Sequence, residues 1–212
     1  MTRGRFITLE GGEGAGKSTQ ARLLADRLAA EGIAVLLTRE PGGTPGAEAI
    51  RALLLDPAGE GWGMRAEALL FAAARADHVE RRIRPALEAG QWVICDRFVD
   101  SNRAYQGGGG GLTDEGLMAL HRFGSGGLLP DLTLLMELDA TRAEARIAAR
   151  DGEEGDRIER RGADYHAAVA ARFAELAAAE PERFLRVDGA RDKRLVHERI
   201  WRAVAPLIGA AP

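Results

Sequence analysis

The chain has 212 residues, of which 46% are hydrophobic and 29% are charged, and its formal net charge is −3. This length predicts one domain, residues 1–212, with a substantial core. The charge balance provides no strongly basic surface for a nucleic-acid partner, and no apolar run is long enough to span a membrane.

Strand-like sequence begins at Arg5, and helical segments follow in alternation with further strands. We predict five buried strands: Arg5–Glu10, Ile33–Thr38, Gln91–Cys95, Leu132–Leu138 and Phe184–Val187. We predict helices over Lys17–Glu31, Ala47–Leu55, Met64–Ala89, Asp114–Arg122, Thr141–Arg150, Gly162–Ala179 and Asp192–Leu207. The alternation predicts an α/β fold, with a five-stranded parallel sheet flanked by helices on both faces. Ligands of such sheets bind beyond the carboxyl ends of the strands.

Two features of the chain bear on its compartment and its loops. Because strand-like sequence begins so early, we expect no signal peptide, and a single cysteine, Cys95, fits a reducing cytoplasm. Because Cys95 lies within an apolar run, we expect it to be buried rather than reactive. The run of glycines from Gly107 to Gly111 predicts a mobile loop.

The first strand leads into a glycine-rich segment that matches G-x-x-x-x-G-K-[ST] at every fixed position. Backbone N–H groups of such a loop converge on phosphate oxygens, so the segment predicts a nucleoside triphosphate site. Lys17 would reach the outer phosphates, and the Ser18 hydroxyl would ligate Mg²⁺. The predicted phosphate-binding residues are Gly11, Gly12, Glu13, Gly14, Ala15, Gly16, Lys17, Ser18 and Thr19.

The third predicted strand ends at an acidic residue, Asp96, as does the strand that supplies the metal-binding carboxylate of P-loop proteins. Asp96 would therefore hold the Mg²⁺ complex together with Ser18. Arg97 follows directly and could clamp a phosphate, although by itself it could equally form a surface salt bridge.

Three runs together resemble the thymidylate kinase family: Glu10–Thr19, Thr38–Thr44 and Asp96–Gly107. The resemblance covers nearly the whole chain, and the D-R-x-x-x-S-x-x-A-Y pattern in the third run is more specific than the P-loop. It implies a P-loop nucleoside monophosphate kinase fold with a short lid. It also implies transfer of the γ-phosphoryl group of ATP to dTMP, with Mg²⁺, by a cytoplasmic homodimer.

The resemblance also implies an acceptor site whose residues make chemical sense for a thymine nucleotide. Phe71 and Arg75 lie one helical turn apart, so both project from the same helix face. Arg75 can only donate hydrogen bonds, which suits the O4 acceptor of thymine and penalises the amino group of cytosine. Phe71 could otherwise be a plain core residue. The complete predicted dTMP set is Glu13, Arg39, Phe71, Arg75, Arg97, Ser101, Tyr105 and Gln106.

The predicted lid covers residues 150–161, which are nearly all charged residues or glycine. Gly14 occupies the P-loop position where some relatives carry a catalytic arginine, so the resemblance implies that the lid supplies this charge. Arg150 is the first choice and Arg157 the second, although the acids of the segment could instead neutralise these arginines. Lys17, Arg97 and Glu13 complete the predicted catalytic set.

Three other functions remain possible from the residues. A UMP or CMP kinase would share the scaffold, but the Phe71 and Arg75 pair favours thymine. A GTP-dependent switch should carry an [NT]-K-x-D run, and the sequence has none. An ATPase motor would need a partner-coupling domain, for which the chain is short.

Overall fold

The computed structural model describes residues 3–56, 59, 61–149 and 156–209, and its centre is one parallel sheet. The strands are ordered β2-β3-β1-β4-β5. They are β1 (Phe6–Glu10), β2 (Val35–Arg39), β3 (Trp92–Asp96), β4 (Leu132–Glu137) and β5 (Phe184–Asp188). The five-stranded parallel sheet predicted from the sequence is confirmed.

Helices connect successive strands, and every predicted helix is present with small shifts at its ends. The helices are α1 (Lys17–Ala30), α2 (Pro45–Leu55), α3 (Met64–His78), α4 (Arg84–Glu88), α5 (Val99–Asn102), α6 (Asp114–Ser125), α7 (Ala140–Ala148), α8 (Ala163–Ala179) and α9 (Lys193–Val204). A π-helical stretch, Val79–Ile83, joins α3 to α4. Pro85 lacks an N–H and crowds the preceding turn, so a widened turn at this point is expected.

Both faces of the sheet are covered, as the unbroken apolar strands require. On one face, Leu24 and Leu28 of α1 pack with Ile200 of α9 against Ile7 and Leu9 of the central strand. On the opposite face, the same strand contributes Phe6 to a second cluster. Its other members include Val79, Ile83, Leu87, Val93, Cys95 and Phe98. The expectation that Cys95 is a buried apolar residue is confirmed, and burial raises the pKa of its thiol.

The register of the strands brings three polar residues to one edge of the sheet. Arg39 at the end of β2 is level with Asp96 at the end of β3, and Asp96 is level with Leu9, one residue before Glu10. The P-loop leaves β1 at this same edge. The site therefore lies at the carboxyl ends of the central strands, where the fold class predicts it.

The predicted mobile loop at Gly107–Gly111 is wrong over its first half. Residues Arg103–Gly109 form a π-helix that continues α5 and packs closely on α8. A Cβ atom on Gly108 would stand 2.9 Å from the carbonyl oxygen of Ala168. The absence of side chains at these glycines thus allows the π-helix and α8 to approach each other closely, and the glycines do not form a flexible loop.

The predicted lid is only partly within the described residues, since Arg150 and residues 151–155 lie outside them. Residues 157–160 form a turn after Asp156, whose carboxylate accepts hydrogen bonds from the backbone N–H groups of Ile158 and Glu159. We call residues 156–161 the lid turn. Within the described part of the chain, no helix has the length and apolarity needed to cross a membrane.

Candidate active site

The P-loop wraps between β1 and the first turn of α1 with the backbone geometry that its glycines permit. Gly14 and Gly16 have φ angles of 69° and 91°, in the left-handed region that other residues rarely adopt. Lys17 is buried, and its Nζ donates to the Gly12 carbonyl at 2.6 Å. Burial, and then the positive charge of Arg97, lower the pKa of Lys17, while the Glu13 carboxylate opposes them. The loop presents one ammonium group among converging backbone N–H groups, which suits phosphate oxygens.

Ser18 and Asp96 form the hard-oxygen pair expected of a magnesium site. The Ser18 hydroxyl donates to one carboxylate oxygen of Asp96, while the other oxygen, Oδ1, is buried and has no hydrogen-bond partner. An unpaired buried carboxylate oxygen is costly unless a cation or a donor reaches it. The described residues contain no group of three or more His, Cys, Asp or Glu side chains suited to a metal. The pair therefore fits an ion that takes its remaining ligands from phosphates and water.

Arg97 lies at the junction between the P-loop and the residues that follow β3. Its Nη1 donates to the Gly11 carbonyl and to Ser101 Oγ, each at 3.1 Å, and its Nη2 donates to Glu13 and to the Tyr105 hydroxyl. Burial lowers the pKa of Arg97, but Glu13 and the other nearby acidic groups together outweigh burial, so the pKa of Arg97 is raised. The φ angle of Arg97 is 70°, which is strained for a residue other than glycine. Such a conformation persists where the surrounding contacts hold the backbone in place.

Glu13 is the acidic partner of this arrangement. Burial opposes its ionisation, yet Arg97 and Lys17 lower the pKa of Glu13 from 4.5 to about 2. Its Oε1 also accepts a hydrogen bond from the Tyr105 hydroxyl at 3.1 Å. Glu13 is thus a carboxylate at every pH near neutrality, held between two cations.

The predicted base-binding arginine, Arg75, is almost fully buried and makes two polar contacts. Its Nε donates to Glu40 Oε2 at 2.8 Å, and its Nη2 donates to Asn102 Oδ1. The other oxygen of Glu40 lies 3.0 Å from Nδ1 of His78, which is itself fully buried. Arg75 is therefore held in one orientation by residues that sequence reasoning did not assign to the site.

Gln106 continues the same hydrogen-bond network. Its Oε1 accepts from Asn102 at 2.7 Å, and its Nε2 donates to Glu67 Oε1 at 2.8 Å. Gln106 is a predicted base-edge residue, and both ends of its amide have protein partners. These two hydrogen bonds therefore determine the orientation of the Gln106 amide.

A cavity of about 330 Å³ brings most of the predicted site residues together. Its lining includes the P-loop and Asp96, which we call the phosphate end, and Phe71 and Arg75, which we call the base end. Residues of the lid turn also line it. Phe71 is half-buried and also packs against an apolar cluster that includes Val169 and Phe173 of α8. It is therefore both a core residue and a lining residue. The predicted residues that line this cavity are Glu13, Gly14, Gly16, Lys17, Ser18, Thr19, Arg39, Phe71, Arg75, Asp96, Arg97, Ser101, Tyr105 and Gln106.

Other predicted residues lie outside this lining. Gly11, Gly12 and Ala15 face a second cavity on the other side of the P-loop. Arg157 does not line the first cavity; its guanidinium donates to the Leu54 carbonyl at 3.0 Å and to Glu67. Arg150, the first-choice catalytic arginine, lies outside the described residues.

Arg51 and Glu10 are further residues at the site that the sequence analysis missed. Arg51 of α2 lines the cavity and donates to the Pro41 carbonyl at 2.8 Å; burial, and then the nearby Arg39, lower its pKa. Glu10 is fully buried at the end of β1 and accepts from the Phe98 N–H and the Ser101 hydroxyl, at 2.7 and 2.6 Å. Glu10 had one available signal, a carboxylate ending an apolar strand beside the P-loop. Arg51 had no such signal, because nothing in the sequence pattern of α2 distinguishes it from a surface arginine.

The sheet order, the P-loop and the acidic end of β3 define an α/β protein with the P-loop nucleoside monophosphate kinase fold. The thymidylate kinase family model matches residues 9–200. A thymidylate kinase from Rhizorhabdus wittichii is 55% identical over 97% of this chain and 99% of its own. One from Rhodopseudomonas palustris is 52% identical, over 95% and 89% of the two chains.

A solved structure agrees with these sequence comparisons. The crystal structure of thymidylate kinase from Ehrlichia chaffeensis has a TM-score of 0.76 and 31% identity, over 95% of this chain and 99% of its own. The chain belongs to the thymidylate kinase family. The resemblance noted in the sequence is confirmed.

Proposed function

We propose that this enzyme transfers the γ-phosphoryl group of ATP to dTMP, giving dTDP and ADP, as one P-loop kinase domain in the cytoplasm. The observation that carries the proposal is the single cavity that joins a phosphate cradle to a buried arginine beside an aromatic ring. Arg97 lines this cavity and contacts both Glu13 of the P-loop and the Tyr105 hydroxyl. Donor and acceptor phosphates would therefore meet at Arg97.

Each end of the cavity has its own task. Lys17 and the P-loop N–H groups would hold the donor phosphates, and Ser18 with Asp96 would hold Mg²⁺. A Mg²⁺ ion held by these two residues would supply positive charge that offsets the charge of the donor phosphates. Arg39, Arg97 and Ser101 would hold the acceptor phosphate, while Glu13 faces the sugar and Tyr105 packs against it.

The acceptor base would stack on Phe71 and receive a hydrogen bond from Arg75. Arg75 already uses Nε on Glu40 and Nη2 on Asn102, so Nη1 has no partner among the contacts found in the described residues. An arginine N–H suits the O4 acceptor of thymine, whereas the cytosine amino group would leave two donors facing each other. The pocket should therefore reject dCMP.

An acceptor screen with ATP and Mg²⁺ tests this function directly. We expect dTMP to exceed dCMP, UMP and AMP in kcat/KM by about 10²-fold or more. The amino groups of cytosine and adenine would leave the buried Arg75 donor unpaired, which is costly. The 2′-hydroxyl of UMP would intrude where Tyr105 packs against the sugar. A screen of dUMP in parallel shows what the thymine methyl group adds. Equal rates with UMP or AMP would contradict the proposal, and replacing ATP by GTP distinguishes a GTP-dependent protein.

The proposal includes a homodimer built on α3 and α6. These helices lie side by side, since a Cβ atom on Gly124 would stand 3.3 Å from the Cβ of Ala76. Beside this contact, Phe123 is 95% exposed and Leu69 is 55% exposed. Two such side chains on neighbouring helices form an apolar surface that a second copy would cover.

Sedimentation analysis of Phe123→Asp tests the dimer. The variant should sediment as a monomer at concentrations where the parent is a dimer. Leu195→Asp is a matched control, because Leu195 is 61% exposed on α9, which is not part of the proposed interface. A monomeric parent, or a dimeric Phe123→Asp variant, would contradict this interface.

A further inference from the structure

Glu67 is a fully buried carboxylate in the first turn of α3, and three side chains from two distant segments converge on it. Its Oε1 accepts from Gln106 at 2.8 Å, and its Oε2 accepts from Arg161 at 2.5 Å and from Arg157 at 3.3 Å. A buried carboxylate without cationic partners would strongly destabilise the fold. The two arginines supply the positive charge that Glu67 needs at this buried position.

The two arginines fasten the lid turn to the acceptor side of the molecule. Arg157 also donates to the Leu54 carbonyl at the end of α2, and Arg161 donates to the Tyr165 hydroxyl at 2.6 Å. The Tyr165 hydroxyl in turn donates to the Tyr105 carbonyl at 2.9 Å. The lid turn is therefore anchored to α2, to α3 and, through Tyr165, to the π-helix Arg103–Gly109.

From Glu67 the hydrogen bonds continue without interruption into the base pocket. Gln106 accepts from Asn102, and Asn102 accepts from Arg75, whose position Glu40 sets. The carboxylate can only accept, so it requires the N–H side of the Gln106 amide to face it. Glu67 consequently determines which end of that amide points toward Asn102.

We propose that Glu67 is a positioning residue that couples the lid turn to the acceptor-base pocket. One carboxylate both orients Gln106 and retains Arg157 and Arg161, so the pocket and the lid turn cannot change independently. The inference rests on the proposed dTMP site. Glu67 itself does not line the cavity.

The test replaces Glu67 by glutamine, which keeps the size of the side chain but removes its charge. Glu67→Gln leaves Arg157 and Arg161 without their shared carboxylate and allows the Gln106 amide to turn over. We expect the KM for dTMP to rise about tenfold, the loss of one charge-assisted contact, while the KM for ATP stays within about twofold.

A second readout does not depend on kinase activity. The lid turn contains arginine peptide bonds that trypsin recognises, and Glu67 holds the side chains of Arg157 and Arg161. Trypsin should therefore cleave after these two residues at least about tenfold faster in Glu67→Gln than in the parent, as an opened segment is cleaved in proportion to its population. Mass spectrometry of the fragments identifies the cleaved bonds.

Glu180→Gln is the matched control. Glu180 also binds two arginines, Arg103 and Arg183, at 2.5 and 2.7 Å, but its observed contacts in the described residues include neither Gln106 nor a lid-turn arginine. It should change neither the KM for dTMP nor cleavage after Arg157 and Arg161. If Glu67→Gln does not fold, Arg161→Gln removes one of the two ion pairs of Glu67 from a partly exposed position. It should give a smaller rise in the KM for dTMP and faster cleavage after Arg157, since trypsin no longer recognises position 161.

Unchanged cleavage after Arg157 and Arg161 would overturn the proposal, and so would faster cleavage with an unchanged KM for dTMP. Effects of equal size in Glu180→Gln would also overturn it, because they would indicate general loosening. A parent enzyme that does not phosphorylate dTMP would refute the proposed function. The trypsin comparison would still decide whether Glu67 retains the lid turn.

Discussion

The two ends of the cavity are built in different ways. The phosphate end comes from one loop, residues 11–19, of which six line the cavity, with Asp96 as the main addition from another strand. The base end is assembled from Glu40, Arg75 and Asn102, which lie on three separate segments and meet only through hydrogen bonds. The phosphate end should keep its geometry when distant parts of the fold are altered, because its residues are consecutive in the chain. The base end depends on the packing of every segment that contributes a residue to it.

Lys17→Ala should produce the largest effect, because it removes the ammonium group that lies at the phosphate end. We expect kcat/KM for dTMP to fall by about 10⁴-fold, since cations that offset transferring charge have effects of this order. A coupled ADP assay measures the loss, and an unchanged melting temperature shows that the loop is still folded. A loss smaller than about tenfold would mean that the phosphate end does not depend on this residue.

The lid arginines are expected to have the next largest effect, and they distinguish chemistry from binding. Arg150→Ala should lower kcat by about 10³-fold while the KM for dTMP changes little, as expected for a charge used mainly in the transition state. Arg157→Ala should act more on the KM for dTMP, because Arg157 contacts Glu67 and α2. If Arg157→Ala lowers kcat more than Arg150→Ala does, then Arg157 supplies the catalytic charge.

Arg75→Lys examines the assembled pocket alone. Lysine keeps the charge but lacks the planar fork that reaches Glu40 and Asn102 together. We expect the ratio of kcat/KM for dTMP over dCMP to fall by about tenfold, with the KM for ATP unchanged. Arg82→Lys is a suitable control, since Arg82 is exposed and donates only to the Gly43 carbonyl among its observed contacts. Retained selectivity in Arg75→Lys would show that another group reads the base.

Glu10 should have the smallest effect on activity and a distinctive effect on stability. Burial, and then the Asp100 carboxylate, raise the pKa of Glu10 from 4.5 to about 8. The folded chain therefore binds more protons than the unfolded chain between these values, so this group makes the free energy of unfolding decrease as pH rises from about 4.5 to 8.

Glu10→Gln cannot ionise and should remove that contribution. Its amide can still accept from the Phe98 N–H and donate to Ser101, so the local contacts are kept. Urea unfolding between pH 5 and pH 9 should show a flatter profile in the variant than in the parent. Profiles of equal slope would mean that Glu10 ionises normally in the folded protein.

The sequence predicted those features that depend on neighbouring residues. The P-loop, the strand end at Asp96 and the strand–helix alternation each follow from local spacing, and all are present in the structure. Arg97, Ser101 and Tyr105 were chosen by resemblance, and they line one cavity. Local signals suffice here because a loop and its adjoining helix are consecutive in the chain.

Only the tertiary structure decided the partners of these residues. Glu67 and Gln106 are 39 positions apart, and Arg161 is 94 positions from Glu67, so no periodicity relates them. The glycines around Gly108 predicted a loop from composition, but the close approach of α8 makes them part of a helix. Contacts between distant segments are set by how whole helices pack, and that information is spread over the entire chain rather than contained in any one motif.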